Sequence, residues 1–440
     1  MQSGHTGSEK SNMETFTNFM EQNRRHSRWY EKLLLSYRFN QALGLVIAVL
    51  LPAMFQWNWS LATEWQSERC ITLIGTALAY LVAIIAVHRL ANFPRTKAFL
   101  YIIPFITMSY IVMMAVLLSF QIEVQTTQIV LSYLIAVLYC SLGYQISTRY
   151  RTRKLAVVPF GRVHEFCHDK SVDWRWLEKP DLEAMRVDGV VADLRADLDD
   201  SWQKFLADCT IHRIPVFNAR QIHESITGRV HLDHLYENKF GSLTPSENYE
   251  LVKRVIDILG VLLVLPVVLP IMLATIIIIK RDDPGPAFFN QQRMGFHCRP
   301  FKLFKFRSMY MNHDGLGFTS EGEDPRITRV GKVIRKYRID ELPQLFNVLK
   351  GDMSLIGPRP ESCNLAEWYE RDVPFFNYRH VVRPGISGWA QVELGYAAEV
   401  EGMTKKLEHD FYYIKNFSFW LDVLIVIRTI KTMLTGFGAR

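Results

Sequence analysis

Four almost unbroken apolar stretches, at roughly 33 to 56, 70 to 87, 98 to 120 and 128 to 146, each approach the ~20 residues that a helix needs to cross a bilayer. A fifth runs from Ile258 to Ile279. With 49% hydrophobic and 12% aromatic residues in a chain of 440, a purely soluble fold is excluded and a membrane component is expected. Residues 1 to 28 are polar, lack the apolar core of a secretory signal, and read as a mobile tail. Basic residues then mark the sides of the membrane. Arg24, Arg25, Arg28 and Lys32 precede the first stretch, Arg89, Arg95 and Lys97 separate the second and third, and Arg149, Arg151, Arg153 and Lys154 follow the fourth. The loops near 57 to 69 and 121 to 127 hold Glu64, Glu68 and Glu123 with Arg69 as the only basic residue. The positive-inside rule therefore predicts a four-helix transmembrane unit over 29 to 150 with both ends in the cytoplasm.

The pattern changes after residue 150. Leu155 to Phe160, Val187 to Leu194 and Ile214 to Phe217 are short β-like runs separated by polar stretches, which predicts a small, Rossmann-like or flavodoxin-like parallel α/β module over 151 to 245. Its first strand ends in Pro159-Phe160-Gly161, without the G-x-G-x-x-G of a dinucleotide site. His164, Glu165 and His168 formally match the H-E-x-x-H zinc pattern, against which stands the plain reading of surface histidines after a strand. The six cysteines are scattered with no C-x-x-C pair, so neither a disulfide framework nor a zinc ribbon is indicated. A net charge of +7 suits nucleic acid, anionic lipid or a phosphorylated substrate alike.

The fifth apolar stretch carries Pro266 and Pro270 and has basic flanks at both ends: Lys253 and Arg254 before it, Lys280 and Arg281 after it. Each proline removes a helical hydrogen bond, so a bend is expected near the middle, and equal flanks give neither end a preference for the far side. A re-entrant helix at about 255 to 280 satisfies both facts, with a kinked spanning helix as the alternative. It opens a mixed, basic, α-rich region over 246 to 440. That region ends in an amphipathic segment near 417 to 434, where Trp420, Leu421, Leu424, Ile425, Ile427 and Ile430 form an apolar side suited to the membrane surface. Asp422 interrupts that side, and either a functional role or a salt bridge to Arg428 or Lys431 would account for it.

Residues 340 to 360 carry the most chemistry. Asp340 and Glu341 follow a basic run (Lys332, Arg335, Lys336, Arg338) and precede Pro343, which suits the first turn of a helix. Leu342, Leu345, Phe346 and Leu349 recur at helical spacing, placing the carboxylates at a helix N-terminus above a buried apolar face. Backbone N–H groups gathered there favour a phosphate, and a carboxylate beside a phosphate is a candidate nucleophile or Mg2+ ligand; simple helix capping is the bland alternative.

Four further motifs follow the bent apolar run in order: Lys305-Phe306-Arg307-Ser308-Met309, Asp324-Pro325-Arg326-Ile327-Thr328, Pro358-Arg359-Pro360, and Arg383-Pro384-Gly385-Ile386-Ser387-Gly388-Trp389-Ala390-Gln391-Val392. With the Asp-Glu stretch they resemble the bacterial sugar transferase family, the monotopic phosphoglycosyl transferases. The layout ahead of them resembles the family's long subgroup, the undecaprenyl-phosphate hexose phosphotransferases. The resemblance implies transfer of a hexose-1-phosphate from a UDP-hexose to undecaprenyl phosphate, with release of UMP, at the cytoplasmic face of the bacterial inner membrane. It also implies a place at the start of exopolysaccharide, capsule or O-antigen assembly. Membrane lipid is an implied partner, a homodimer is in keeping with the long members, and nucleic acid is not implied.

By the same resemblance Asp340 is the nucleophile that carries the phosphosugar, Glu341 completes the dyad, and both bear on a Mg2+ ion. Arg335 and Arg359, framed by Pro358 and Pro360, fall at phosphate- and nucleotide-binding positions. Lys305 and Asp422 fall in or near the active site, and Pro266 and Pro270 at the break of the re-entrant helix. After Val392 many relatives continue Asn-Gly-Arg-Asn, where this chain has Glu393-Leu394-Gly395-Tyr396, which leaves the sugar open. The chemistry suits these residues: one anion attacking another needs charge neutralisation, and a carboxylate nucleophile divides the transfer into two steps.

Overall fold

The computed structural model describes residue 25 and residues 29–57, 67–97, 99–150, 152–183, 185–231, 244–311, 325–394 and 400–435. The expected N-terminal tail apart from Arg25, the loop residue Glu64, Arg151, Asp324 of the Asp-Pro-Arg-Ile-Thr motif, and Gly395-Tyr396 lie outside the described residues. The chain divides into two compact units, residues 1–228 and 229–440.

In the first unit, four helices are long and apolar enough to cross a membrane: α1 (Tyr37–Gln56), α2 (Ser67–Ala91), α3 (Phe99–Ser119) and α4 (Thr126–Tyr150). Side chains from all four, including Ala48, Ala79, Tyr80, Ile106, Tyr110 and Ala136, share one buried cluster. Outward-facing leucines and isoleucines such as Leu78, Ile111 and Leu138 are more than half exposed, as a lipid-facing surface requires. The parallel sheet follows, from β1 (Arg153–Val157), β2 (Val172–Trp176), β3 (Gly189–Ala192) and β4 (Val216–Asn218) in the order β2-β1-β3-β4. β3 is buried throughout and β1 from Leu155 onward, because helices cover both faces. Sequence reading missed β2, whose Val-Asp-Trp-Arg-Trp sits at the sheet edge with most of its side chains partly exposed.

The second unit is built on α5 (Glu247–Asp282), whose N-cap Ser246 accepts the amide of Tyr249. The helix runs unbroken past Pro266 and Pro270, neither of which has an N–H to donate within it. A hairpin of β5 (Phe288–Met294) and β6 (Pro300–Phe306) leads to α6 (Arg329–Lys336) and α7 (Gln344–Lys350). Then come β7 (Ser354–Ile356), α8 (Cys363–Asp372), β8 (Gly385–Ser387), α9 (Trp389–Leu394), α10 (Val400–Lys415) and α11 (Phe419–Thr435). β7 and β8 pair in parallel, Ser354 with Gly385 and Ile356 with Ser387.

One side of α5 is packed along its length: Val261 lies among Phe301, Leu303, Leu345, Val348 and Met353, and Met272 and Ile279 among Ala287, Phe306 and Ile334. The other side leaves Leu263 80% and Val267 68% exposed, far more apolar surface than water tolerates on a helix. The amphipathic helix α11 turns Leu421, Leu424 and Ile425, three of the six residues read as its apolar side, into the core. Phe419, Val426, Ile430 and Met433 remain exposed on the rest of its surface.

Candidate active site

Asp340 and Glu341 lie in a short 3-10 turn, Ile339–Glu341, entered through Arg338 in the left-handed backbone region at φ 54°. They precede α7 and do not occupy its first turn. Four of the amides around the dyad are already bonded: Glu341 N–H to the Arg338 carbonyl, Leu342 N–H to Ile339, Leu345 N–H to Leu342, and Phe346 N–H to Pro343. Phe346 is exposed where the periodicity expected it buried, and Val348 takes the core position. The inward face of α7 follows Leu345, Val348 and Leu349, a spacing that leaves Phe346 to one side of the core. The full positive charges in this region are the side chains of Lys305, Arg335, Arg338 and Arg359.

The two carboxylates differ sharply. Glu341 is buried, and its Oε1 accepts from Arg359 Nη2 at 2.6 Å and from Lys305 Nζ at 3.5 Å, with Arg338 Nη1 3.9 Å from Oε2. Burial alone would raise its pKa; Arg359 and Lys305 together outweigh that and hold the carboxyl well below the usual range. Asp340 is half-buried, and among the described residues no hydrogen bond or ion pair engages its carboxylate. Burial, and after it the charge of Glu341, push the Asp340 carboxyl above its ordinary 3.8, against the pull of Lys305, Arg359 and Arg335. The pair thus consists of a committed anion and an open one.

Lys305 reaches the dyad from β6. Asn347, fully buried on α7, fixes that strand by accepting the Phe304 amide at 3.0 Å and donating to the Lys302 carbonyl at 2.8 Å. Arg335 stands on the last turn of α6, and its Nη1 is buried with no partner among the described residues. A buried guanidinium nitrogen without an acceptor is costly in the folded chain, so a bound anion is its natural complement.

Arg359 is presented by a turn whose prolines are both buried. Pro358 and Pro360 contribute through their carbonyls, which accept from the Gly385 amide at 3.0 Å and from Arg293 Nη1 at 3.0 Å. Three glycines let the two motif segments approach: a Cβ on Gly385 would fall 2.0 Å from the Gly357 nitrogen, and one on Gly388 2.3 Å from the Gly357 oxygen. Arg383-Pro384-Gly385-Ile386-Ser387-Gly388 is thus the scaffold on which Pro-Arg-Pro rests. Trp389 is packing: 1% exposed, stacked on Tyr412 and covered by the Arg428 guanidinium at 4.7 Å.

Asp422 sits in a different buried cluster. Its carboxylate binds Lys253 Nζ at 2.7 Å, Tyr249 Oη at 2.6 Å and Tyr413 Oη at 2.8 Å. The expected partners Arg428 and Lys431 are not these: Arg428 pairs with Glu393. Pro266 and Pro270 lie within α5, whose Val268 and Met272 share an apolar cluster with Ile339 and Leu342 on either side of the dyad. The zinc pattern finds no support. His164 belongs to a four-residue helix, Val163–Phe166, and stacks on Trp176, while His168 lies past the helix end, so the i, i+4 face is never formed.

Among the described residues no three His, Cys, Asp or Glu side chains converge on a metal position. A Mg2+ ion suits the open Asp340 carboxylate, since this ion is held by one or two carboxylates plus substrate phosphate and water. Glu341 Oε1 is taken by Arg359 and Lys305, which leaves only its second oxygen for such a role. Periodicity and motif spacing gave no sign of Asn347, Arg293, Glu361 or Arg379, which hold the site from behind.

The sequence model of the family described as "Bacterial sugar transferase" matches residues 248–436, the stretch that contains every one of these groups. An Aeromonas hydrophila protein named UDP-N-acetylgalactosamine-undecaprenyl-phosphate N-acetylgalactosaminephosphotransferase is 50% identical over 424 residues, covering 96% of this chain and 100% of that protein. A UDP-glucose:undecaprenyl-phosphate glucose-1-phosphate transferase of Caulobacter vibrioides is 40% identical over 44% of this chain and 74% of its own length. A protein of the same name from Escherichia coli (strain K12) is 37% identical over 51% of this chain and 49% of its own length. With a full-length relative at this identity and the family's motifs assembled around one dyad, the chain belongs to the bacterial sugar transferase family.

Proposed function

We propose that this chain moves a sugar-1-phosphate from a UDP-sugar to undecaprenyl phosphate at the cytoplasmic face of the inner membrane, by way of a phosphosugar carried on Asp340. The observation that carries this reading is the contrast within the dyad: Asp340 is open, while Glu341 is locked to Arg359 and Lys305. An Asp340 oxygen attacks the phosphorus next to the sugar, and the bond to the nucleotide's bridging oxygen breaks to release UMP. An oxygen of undecaprenyl phosphate then attacks the same phosphorus, and the Asp340 carboxylate leaves unchanged. Arg335 and Arg359 neutralise the diphosphate, a task for which a guanidinium fork is well shaped. Mg2+, held by Asp340 together with donor phosphate, would supply further neutralisation of charge.

A re-entrant α5 fits this chemistry. Near its start Arg254 donates to the carbonyls of Val348 and Leu349, and near its end Asp282 Oδ2 accepts the Val330 amide. Both ends thus meet polar parts of the same unit, which favours their lying on one side of the bilayer. Because the Aeromonas hydrophila relative matches end to end, UDP-N-acetylgalactosamine is the first donor to test, ahead of the UDP-hexoses.

The test is a UMP-release screen in nanodiscs with UDP-N-acetylgalactosamine, UDP-N-acetylglucosamine, UDP-glucose and UDP-galactose, with and without undecaprenyl phosphate. The expected result is a burst of about one UMP per enzyme without acceptor, as covalent catalysis requires, and its loss in Asp340→Asn. Release that depends on acceptor from the first turnover would argue for direct displacement; full activity of Asp340→Asn would end the proposal.

A further inference from the structure

We infer that Arg379 and Arg293 are positioning residues for Arg359, holding its turn from behind by the backbone carbonyls; this rests on the reading that Arg359 neutralises the donor. The need arises from the turn's composition. Of Pro358, Arg359 and Pro360 only Arg359 has an amide N–H, so the turn cannot be fixed by its own donors and must be fixed through its acceptors. Each successive carbonyl is engaged: Pro358 by the Gly385 amide at 3.0 Å, Arg359 by Arg379 Nη2 at 2.8 Å, Pro360 by Arg293 Nη1 at 3.0 Å, and Glu361 by the Met294 amide at 2.9 Å.

Two of those four donors are guanidinium groups, an expensive choice in an interior unless orientation matters. Arg379 is 2% exposed and is itself aimed by Asp410 at 2.8 Å and Glu361 at 3.5 Å, with Lys406 also on Glu361. Arg293 is aimed by Gln291 Oε1, which accepts from its Nε at 3.1 Å and its Nη2 at 2.8 Å. Neither Arg379 nor Arg293 is paired with Glu341 or Asp340. Both act one step removed, on the backbone that carries Arg359, whose tip must meet Glu341 at 2.6 Å.

The experiment is a double-mutant cycle on the full-length protein in nanodiscs, reading kcat/KM for UMP release with the best UDP-sugar. Arg379→Lys keeps the charge and loses the fork; it is expected to lower kcat/KM by about 10- to 100-fold, as a displacement on the order of 1 Å does. In an Arg359→Lys background the same change is expected to cost less than about twofold, because the residue it positions is already impaired. Equal losses in both backgrounds would show a merely structural role and overturn the inference while leaving Arg359's assignment intact. Arg359→Lys with wild-type kcat/KM would instead remove the reading of Arg359, and the inference with it. If Arg379→Lys does not fold by thermal denaturation, Arg293→Lys takes its place in the cycle with the same expected pattern.

Discussion

Arg359 Nη2 donates to Glu341 Oε1 across 2.6 Å and so ties the Pro-Arg-Pro turn to the dyad. The bond divides the labour between two adjacent carboxylates: one fixes the cations and the other stays open. Glu341→Gln keeps the shape and removes the charge, which frees Arg359 and Lys305 to wander. The expected loss in kcat/KM is roughly 100-fold, as for misplaced catalytic groups, with the one-turnover burst slowed and still present. A burst that disappears altogether would make Glu341 the covalent residue.

The dyad also sets a pH dependence. In the proposed mechanism Asp340 attacks as the carboxylate, and its carboxyl lies above the ordinary 3.8 because of burial first and Glu341 second. Activity is therefore present above this raised pKa and lost as pH falls through it, giving an acid limb higher than that of a free carboxylate. Lys305 opposes the rise, so Lys305→Met is expected to move the limb to still higher pH. Glu341→Gln removes a raising charge and is expected to move it lower. A pH profile of burst amplitude checks both directions, and a limb that ignores both changes would assign it to another group.

How much of this was legible beforehand follows the range of the interactions. The apolar helices and the β1, β3 and β4 regions were readable because their signal is local and repeated. β2 was missed because an edge strand with charged and aromatic residues alternates weakly. The dyad, Lys305, Arg335 and Arg359 were singled out by the resemblance, and Lys305 and Arg359 do meet Glu341, yet the helix N-terminus expected for Asp340 and Glu341 is a 3-10 turn, since Pro343 lies ahead of α7 and not inside it. Arg379 lies 20 residues from the carbonyl it holds and Lys253 lies 169 from Asp422, separations that no window of sequence can bridge.

The close approach of β7 and β8 makes a steric prediction. Gly385→Ala puts a Cβ 2.0 Å from the Gly357 nitrogen, a backbone atom with no freedom to yield. Loss of the β7–β8 pairing should remove activity and cost several kcal/mol, in the range of about 1–3 or more for overpacking. Gly143→Ala on α4 meets nothing within 4 Å and serves as the control, with activity and thermal midpoint unchanged. A Gly385→Ala protein as active and stable as the control would refute the packing argument.

The Asp422 cluster separates stability from chemistry. Asp422 on α11 pairs with the buried Lys253 and also accepts from Tyr249 and Tyr413, so α5 and α10 both meet its carboxylate. Asp422→Asn removes the nearer of the two carboxylates on the buried Lys253 and leaves it Asp257 alone, 3.8 Å away; breaking a buried ion pair costs about 3–5 kcal/mol in the usual case. The thermal midpoint in nanodiscs should fall by many degrees. Protein that stays folded should retain kcat within a few-fold, because the cluster touches neither Asp340 nor Glu341. Removing the cation as well, in Asp422→Asn/Lys253→Met, should recover part of the lost midpoint, since no buried ammonium is left to neutralise and Asp257 keeps its bonds from Ser354 Oγ and the Leu355 amide. An Asp422→Asn enzyme with an unchanged midpoint and a kcat reduced 100-fold would instead put this carboxylate among the groups that act on the donor.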